Sequence, residues 1–260
     1  MNIDLTHRVA IVTGAAQGIG RAIAERLAAE GVRLSLWDVD RERLNRTADA
    51  IAKDASAEVV AIACDVKVPA EIERATSETV ERLGGIDILV ANARIARPRK
   101  FVDISTEEWD EVFDVNTRGV FLCAKSVAPL FKKQRRGRII IASSFAAIIP
   151  SVGSAAYAAS KSAVVSLTRV LAAELGPWNI TVNSYSPGMI PSNMSGIDQL
   201  PPERQEAMLD TLCLREWGRA EDVASLVVFL ASGEARYITG ANIDASGGKF
   251  AVQFAKLARE

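Results

Sequence analysis

Short apolar segments alternate with longer amphipathic segments along most of this chain, and this alternation constrains the fold more than any other feature of the sequence. Several apolar segments are hydrophobic almost throughout, which is typical of strands covered on both faces. They lie at residues 8–13, 32–38, 58–65, 86–92, 138–143, 181–185 and 241–245. Helical patterns occupy residues 19–30, 41–53, 70–83, 106–133, 155–175 and 220–231. The alternation predicts an α/β fold, with one doubly wound, mostly parallel sheet that carries helices on both faces.

A single domain is predicted over residues 1–248, because no stretch rich in Pro, Gly or Ser interrupts the alternation. Residues 188–217 are irregular and combine prolines with apolar side chains. Such a segment after a strand end is predicted to be a substrate lid, or else a surface segment that covers the core. Residues 249–260 form a tail with apolar residues at helical intervals. We expect it to pack on its own subunit or across a dimer.

Composition excludes several classes of protein. The 31 Lys and Arg residues nearly balance the 32 Asp and Glu residues, so nothing indicates general affinity for nucleic acid or an anionic membrane. Cys64, Cys123 and Cys213 are widely separated, and His7 is the single histidine, so neither a disulfide framework nor a metal site is expected. No signal peptide and no apolar stretch of the ~20 residues that span a bilayer is recognised. We therefore expect a cytoplasmic protein.

A glycine-rich turn joins the first predicted strand to the first predicted helix. It reads Thr-Gly-Ala-Ala-Gln-Gly-Ile-Gly over residues 13–20. Glycines let the backbone approach a pyrophosphate closely, and the N-terminus of the following helix offers free N–H groups and a positive dipole end. The sequence therefore predicts a Rossmann-type βαβ unit that binds a dinucleotide. The predicted contacts in this turn are Gly14, Gln17, Gly18, Ile19 and Gly20.

Asp38 ends the second predicted strand, where a carboxylate can accept hydrogen bonds from the adenosine ribose and would repel a 2′-phosphate. This predicts NAD as the cofactor, while Arg41 and Arg43 nearby leave NADP as a secondary possibility. Asp65 and Val66, after the third strand, are predicted to border the adenine ring. For Asp65, an N-cap of the next helix is an equal alternative.

Tyr157 and Lys161 lie four residues apart near the start of a predicted helix, so their side chains share one face. A neighbouring ammonium group stabilises a phenolate. Such a tyrosine can act as a general acid or base at cellular pH.

Together with the glycine turn, the Tyr157–Lys161 pair makes the chain resemble the short-chain dehydrogenase/reductase family from residue 8 to about 248. The resemblance implies that Ser144 orients the substrate oxygen, with Ser143 as the less favoured neighbour. It implies that Asn116 anchors a water molecule linking Lys161 to solvent. It also implies that Lys161 binds the nicotinamide ribose, and that the enzyme is a homotetramer or homodimer.

The same resemblance implies further cofactor contacts around the reactive ring. Asn92, after the fourth strand, corresponds to the family's Asn near the cofactor ribose. Pro187 and Gly188 turn the chain beside the nicotinamide, and the Ile190 amide is expected to meet its carboxamide. Ser192 falls where many relatives place a threonine, and it keeps the hydroxyl.

The chain departs from the family pattern at Arg94, since relatives usually read Asn-Ala-Gly where this chain reads Asn-Ala-Arg. If this site requires positive φ, a non-glycine residue is strained there. Arg94 either points away, or toward a phosphate or an acidic substrate, or it crowds the cofactor. We hypothesise that it changes cofactor affinity.

These features predict a hydride-transferring, NAD-dependent enzyme that interconverts a secondary alcohol and a ketone, with a sugar, a polyol or a similar small alcohol as substrate. The alternative is a 3-oxoacyl-(acyl-carrier-protein) reductase, for which Arg97, Arg99 and Lys100 would form a basic docking patch. An alternative of another class is an NAD(H)-binding scaffold without turnover.

Overall fold

The computed structural model describes residues 3–192 and 195–259. Its centre is a seven-stranded sheet of order β3-β2-β1-β4-β5-β6-β7, and each pair of neighbouring strands is parallel. The strands are β1 (Val9–Thr13), β2 (Arg33–Asp38), β3 (Val59–Ala63), β4 (Ile88–Ala91), β5 (Gly137–Ala142), β6 (Ile180–Pro187) and β7 (Asn242–Ala245). The predicted doubly wound sheet is confirmed.

Helices connect consecutive strands and cover both faces of the sheet. They are α1 (Gly18–Ala29), α2 (Arg41–Ala55), α3 (Pro69–Leu83), α4 (Thr106–Phe113), α5 (Gly119–Gln134), α6 (Ala155–Leu175), α7 (Pro202–Leu209) and α8 (Ala220–Ala231). None of the helices within residues 3–192 and 195–259 combines the length and hydropathy needed to cross a membrane.

Two apolar layers hold the helices on the sheet. One layer lies under α1, α2 and α8 and includes Leu27 and Val227, which have no exposed surface. The other lies under α3, α5 and α6 and includes Phe131 and Val164, which are equally buried. A fully buried side chain of this size stabilises the fold by about 1.5–3 kcal/mol. The two layers explain why β1, β4 and β5 are apolar on both faces.

The order of the strands fixes where a ligand can bind. From β1 the chain runs outward through β2 and β3, then returns to place β4 on the other side of β1. The connections after β1 and β4 therefore diverge and leave a crevice at the carboxyl ends of these two strands. Ligands of doubly wound sheets bind at such a switch point.

Three local features differ from the sequence expectation. The long helix predicted at 106–133 is interrupted by a π-helical turn at Asp114–Arg118. The irregular segment 188–217 contains the short helix α7, and its positions 193 and 194 lie outside the described residues. In the tail, Ala255–Arg259 form a 3₁₀ helix. Phe254 and Leu257 are mostly exposed there, whereas Ala255 is buried, so the tail packs on its own subunit only in part.

Candidate active site

A cleft of about 1320 Å³ lies at the switch point. Most of the predicted site residues line it: Gly14, Gln17, Gly18, Ile19, Asp38, Asp65, Val66, Asn92, Ser144, Tyr157, Pro187, Gly188, Ile190 and Ser192. Gly20, Asn116 and Lys161 lie behind this first layer. Residues far apart in the sequence thus meet at one edge of the sheet, because the strands that carry them are parallel and end together.

The glycines of the turn have two different roles. Gly14 and Gly18 have φ of 65° and 57°, a conformation that side-chain-bearing residues rarely adopt. No described atom lies within 4 Å of the position where a Cβ of Gly18 would stand, and Gly18 lines the cleft. At Gly20, a Cβ would come within 2.1 Å of the Gly14 carbonyl oxygen, so α1 packs against the turn only because this residue is glycine.

Asp38 closes one end of the cleft. Its two carboxylate oxygens accept hydrogen bonds from the backbone N–H groups of Ala16, at 3.0 Å, and Asp40, at 3.1 Å. These bonds fix the carboxylate against the glycine turn and leave each oxygen with further acceptor capacity. A charged acceptor is therefore held at the cleft wall.

Asp65 also lines this end, but it does not cap α3. The N-cap position is Val68, and the Asp65 carboxylate instead accepts a hydrogen bond from the Lys67 backbone at 2.9 Å. The N-cap alternative for Asp65 is therefore wrong. The side chain stabilises the turn after β3 and contributes to the cleft wall beside Val66.

The opposite end of the cleft holds Ser144 and Tyr157. Ser144 follows β5, is 6% exposed, and its hydroxyl accepts a hydrogen bond from the Ala146 N–H at 3.1 Å. Ser143 faces away, and its hydroxyl donates to the Lys161 carbonyl at 3.3 Å. Tyr157, in the first turn of α6, is half-buried and lines the same cavity as Ser144.

Lys161 lies directly behind Tyr157. Its Nζ is 5.9 Å from the centre of the Tyr157 ring and donates to the Ala142 carbonyl at 2.8 Å. The side chain is completely buried. This burial lowers the pKa of Lys161 well below its usual value, and the nearby positive charge of Arg94 lowers it further. No other acceptor for the ammonium group is found among the described residues.

Asn116 occupies the π-helical turn between α4 and α5. Its side chain accepts from the Ile95 N–H, and donates to the Ile95 carbonyl and to the Ser160 hydroxyl, at 2.9–3.1 Å. A π-turn widens a helix locally and often occurs at functional sites. Asn116 thus ties the loop after β4 to α6, one residue away from Lys161.

Tyr185 on β6 was missed by sequence reasoning, because a buried aromatic in a strand is usually only core. Its hydroxyl donates to Asn92 Oδ1 at 3.1 Å, and Arg94 donates to the same oxygen at 3.2 Å. The Asn92 amide donates to the carbonyl oxygens of Thr13 and Gly14. All hydrogen-bonding groups of the Asn92 side chain are therefore used in joining the carboxyl ends of β1, β4 and β6.

The segment 188–217 covers the reactive end with apolar side chains. Met189, Ile197 and Leu212 are buried and form a cluster of their own. Partly buried residues that pack against them are Phe145, Met208, Leu209 and Trp217. Phe145, Met189, Ile197, Met208 and Trp217 line the cleft. The part of the cavity nearest to Ser144 and this segment is therefore mostly apolar.

Of the three residues proposed as a basic docking patch, Arg97 lines the cleft, whereas Arg99 and Lys100 are not among the described residues that line it. Arg97 pairs with Glu111 at 3.1 Å, and Arg99 pairs with Glu108 at 3.3 Å. Two of the three charges are thus balanced by carboxylates from α4. Only Lys100 has no ion-pair partner among the residues that the structure describes.

The residues of the cleft fit a nicotinamide dinucleotide. Because Gly18 has no side chain, there is space at the N-terminus of α1, where a pyrophosphate can accept hydrogen bonds from backbone N–H groups. Asp38 offers a carboxylate to ribose hydroxyls. The buried Lys161 ammonium has unused donors for a second ribose. No group of three or more metal-ligating side chains is found within residues 3–192 and 195–259.

Comparisons with known proteins agree with this geometry. A family model described as Enoyl-(Acyl carrier protein) reductase matches residues 14–249. The chain is 40% identical, over 93% of its length and 97% of the relative, to the short-chain dehydrogenase/reductase eriH of Hericium erinaceus. It is 39% identical, with the same two shares, to the 3-oxoacyl-(acyl-carrier-protein) reductase FabG of Staphylococcus aureus. The crystal structure of levodione reductase matches with a TM-score of 0.89 at 35% identity, covering 94% of this chain and 98% of that one.

Proposed function

Since this chain belongs to the short-chain dehydrogenase/reductase family, we propose that it is an NAD-dependent oxidoreductase that interconverts a secondary alcohol and a ketone. The single observation that carries the proposal is the meeting of Ser144 and Tyr157 in one cleft with Asp38 at its other end. A scaffold that only senses the cofactor would not need Ser144, Tyr157, Lys161 and Asn116 gathered at one point.

Each of these residues has a definite task in the proposed reaction. A bound nicotinamide supplies the hydride donor or acceptor. The Ser144 hydroxyl orients the substrate oxygen, and the Tyr157 hydroxyl donates or removes its proton. Lys161 binds a ribose of the cofactor. It also forms part of the path, behind Tyr157, along which the proton passes between Tyr157 and solvent. Asn116 keeps the loop after β4 fixed against α6 and anchors the water that connects Lys161 to solvent.

NAD rather than NADP is supported by the charges near Asp38. A second cavity of about 390 Å³ beside the glycine turn is lined by three arginines, which could attract a 2′-phosphate. Each of them has a carboxylate partner: Arg21 pairs with Glu25, Arg43 with Asp40 and Arg46 with Glu42. Their charges are thus partly balanced, while Asp38 faces the cleft without a cationic partner among the described residues.

The apolar lining of the reactive end supports a substrate with an apolar body. The side chains of Phe145 and Met189 offer no hydrogen-bond partner to the hydroxyls of a sugar or polyol, and burying an unpaired hydroxyl costs about 1–3 kcal/mol. We therefore place cyclic or aliphatic ketones ahead of sugars and polyols as the substrate class.

Reduction of 3-oxoacyl thioesters on acyl carrier protein is the second candidate, because the Staphylococcus aureus relative has that name. The ion pairs of Arg97 with Glu111 and of Arg99 with Glu108 reduce the net positive charge of the docking patch that this function needs. The two candidates differ in whether a free ketone or a carrier-bound acyl group is turned over.

The test is a turnover assay with NAD and NADP on secondary alcohols, and with their reduced forms on ketones and 3-oxoacyl thioesters. Turnover of free alcohols or ketones, with the Tyr157→Phe variant about 10²- to 10⁴-fold slower, supports the proposal. A Tyr157→Phe variant as fast as the parent excludes this mechanism. Binding of NADH without turnover of any compound would favour the scaffold.

We also propose a homo-oligomer, because apolar side chains are exposed on two neighbouring helices. Phe121 on α5 and Val170 on α6 are 44% and 52% exposed. Sedimentation velocity of the protein tests this, and a monomer at micromolar concentration would contradict it.

A further inference from the structure

Among the described residues, Arg94 is the cation lining the cleft that has no acidic partner. The other cations that line the cleft each pair with a carboxylate: Lys67 with Asp65, Arg97 with Glu111 and Arg219 with Asp222. Arg94 is half-buried and forms no ion pair with any described residue; its guanidinium donates to the neutral Asn92 side chain. A partly desolvated, unbalanced charge is costly unless an anion offsets it.

A rigid platform holds this guanidinium. Asn92 Oδ1 receives hydrogen bonds from both Arg94 and Tyr185, while the Asn92 amide is fixed by Thr13 and Gly14. The backbone on both sides of Arg94 is also fixed. The Ala93 N–H donates to the Thr13 hydroxyl, and Asn116 pairs with the backbone of Ile95. A donor held in this way loses little entropy when it binds.

The backbone at Arg94 is unstrained. The non-glycine residues with positive φ in the described chain are His7, Ser56, Arg135, Asn179 and Arg215, and Arg94 is not among them. The strain considered from the sequence is therefore absent. An arginine fits the position without distortion, which leaves its charge as the property to be explained.

A second cation lies nearby. Arg94 is close enough to Lys161 for its charge to disfavour the Lys161 ammonium, and no carboxylate pairs with either group among the described residues. Asn92, which holds Arg94, also holds the Gly14 carbonyl. Arg94 lines the cleft and Lys161 lies buried behind Tyr157, so an anion bound in the cleft beside Arg94 would relieve the repulsion between the two charges.

We propose that Arg94 is an anion-binding residue of the cleft, which contacts a phosphate or carboxylate group lying between the glycine turn and Lys161. The inference rests on the proposed function, because two sources of such a group are then present. One is the pyrophosphate of the dinucleotide, and the other is a carboxylate of the substrate. The guanidinium suits both, since it donates two parallel hydrogen bonds to either group.

The experiment compares Arg94→Gln, Arg94→Lys and the control Arg169→Gln. Arg169 is an exposed arginine of α6 that does not line the cleft and forms no ion pair with any residue that the structure describes. Affinity for ADP-ribose, which has the pyrophosphate but no nicotinamide, is measured by calorimetry, and affinity for NADH by fluorescence. KM is then measured for ketones with and without a carboxylate.

If the pyrophosphate is the anion, Arg94→Gln weakens ADP-ribose and NADH binding about tenfold or more, and Arg94→Lys loses less because it keeps the charge. If a substrate carboxylate is the anion, ADP-ribose affinity is unchanged, and KM rises about tenfold for the acidic ketones alone. Either result supports the proposal, provided that Arg169→Gln matches the parent.

Unchanged affinities and KM values in both Arg94 variants would overturn it, and so would tighter cofactor binding, since Arg94 would then be crowding the cleft. If a variant does not fold, a crystal structure of the parent protein with ADP-ribose and an acidic ketone decides the matter. An anionic oxygen within about 3.5 Å of the guanidinium supports the proposal, and its absence contradicts it. A parent protein that binds no NADH and turns over no alcohol would instead refute the proposed function.

Discussion

The two ends of the cleft are built in different ways and carry opposite charge. One end consists of the glycine turn and Asp38, which come from a continuous stretch of β1, α1 and β2. Its charged group without an ion-pair partner among the described residues is the Asp38 carboxylate. The other consists of Ser144, Tyr157 and Lys161 with Arg94 beside them, and its charged groups are cations. We call these the turn end and the reactive end. The turn end depends mainly on the backbone conformation of one continuous stretch of chain. The reactive end depends instead on side chains that the fold brings together from distant segments.

The largest effect is expected at the reactive end. Ser144→Ala removes the donor that we assign to the substrate oxygen, and we expect kcat to fall about 10²- to 10³-fold, as when one oxyanion donor is lost. NADH affinity should stay within about twofold. Steady-state kinetics and a fluorescence titration measure both quantities.

Ser143→Ala is the matched control, because Ser143 is adjacent but its hydroxyl bonds the Lys161 carbonyl and not the cleft. Its kcat should stay within about threefold of the parent, with about 1 kcal/mol of stability lost. If Ser143→Ala were the slower variant, our assignment of the two serines would be reversed.

At the turn end, Asp38→Ala should weaken binding and spare the chemistry. Loss of a hydrogen-bonded carboxylate weakens NAD binding about 10- to 100-fold, and removal of its charge narrows the gap between NAD and NADP. kcat at saturating cofactor should remain close to that of the parent. Kd and kcat for the two cofactors are the measurements.

Asp54→Ala is the control for that variant, since Asp54 is an exposed carboxylate of α2 that lines neither of the two cavities. It should change stability by no more than about 0.5 kcal/mol and leave the ratio of NAD to NADP affinity unchanged. A parent protein that strongly prefers NADP would contradict the role given to Asp38.

Substitutions of two glycines in the turn end measure two different costs, that of backbone strain and that of steric overlap. Gly18→Ala places a Cβ in open space and should cost about 1–2 kcal/mol for its positive φ. Gly20→Ala places a Cβ 2.1 Å from the Gly14 carbonyl oxygen, and moving α1 away should cost about 1–3 kcal/mol and also loosen the turn. Urea unfolding compares the two, and equal NADH affinity in both would show that α1 need not pack so closely.

The smallest effect concerns the dependence of stability on pH. The folded protein lowers the pKa of Lys161, so between that value and the unfolded value of about 10.4 the unfolded chain binds the extra proton. Lys161 therefore makes the free energy of unfolding rise with pH in this window, by at most about 1.4 kcal/mol per pH unit. Lys161→Met should remove this slope and be inactive. Urea unfolding at pH 7 and pH 9 measures it, and an unchanged slope would show that the ammonium is not buried as described.

The sequence alone determined the sheet, the turn end and the membership of most of the cleft. The alternation of apolar strands with amphipathic helices is typical of a parallel sheet that helices cover on both faces. The glycines at 14, 18 and 20 and the acid at 38 follow from that order, because their positions relative to β1 and β2 are local. The Tyr157–Lys161 pair is also local, since one turn of α6 brings the two side chains together.

Only the tertiary structure decided the contacts around Arg94. Sequence patterns predict which residues lie on a strand or a helix, but not which side chains meet from separate elements. The π-turn at Asn116 and the Tyr185–Asn92–Arg94 hydrogen bonds join segments up to 93 residues apart. Such contacts depend on how β4, β6 and α6 pack, because hydrogen bonds are directional and short. For the same reason the sequence left open whether Arg94 is strained. In the packed structure its φ is not positive, Asn92 holds its guanidinium, and no described carboxylate pairs with it.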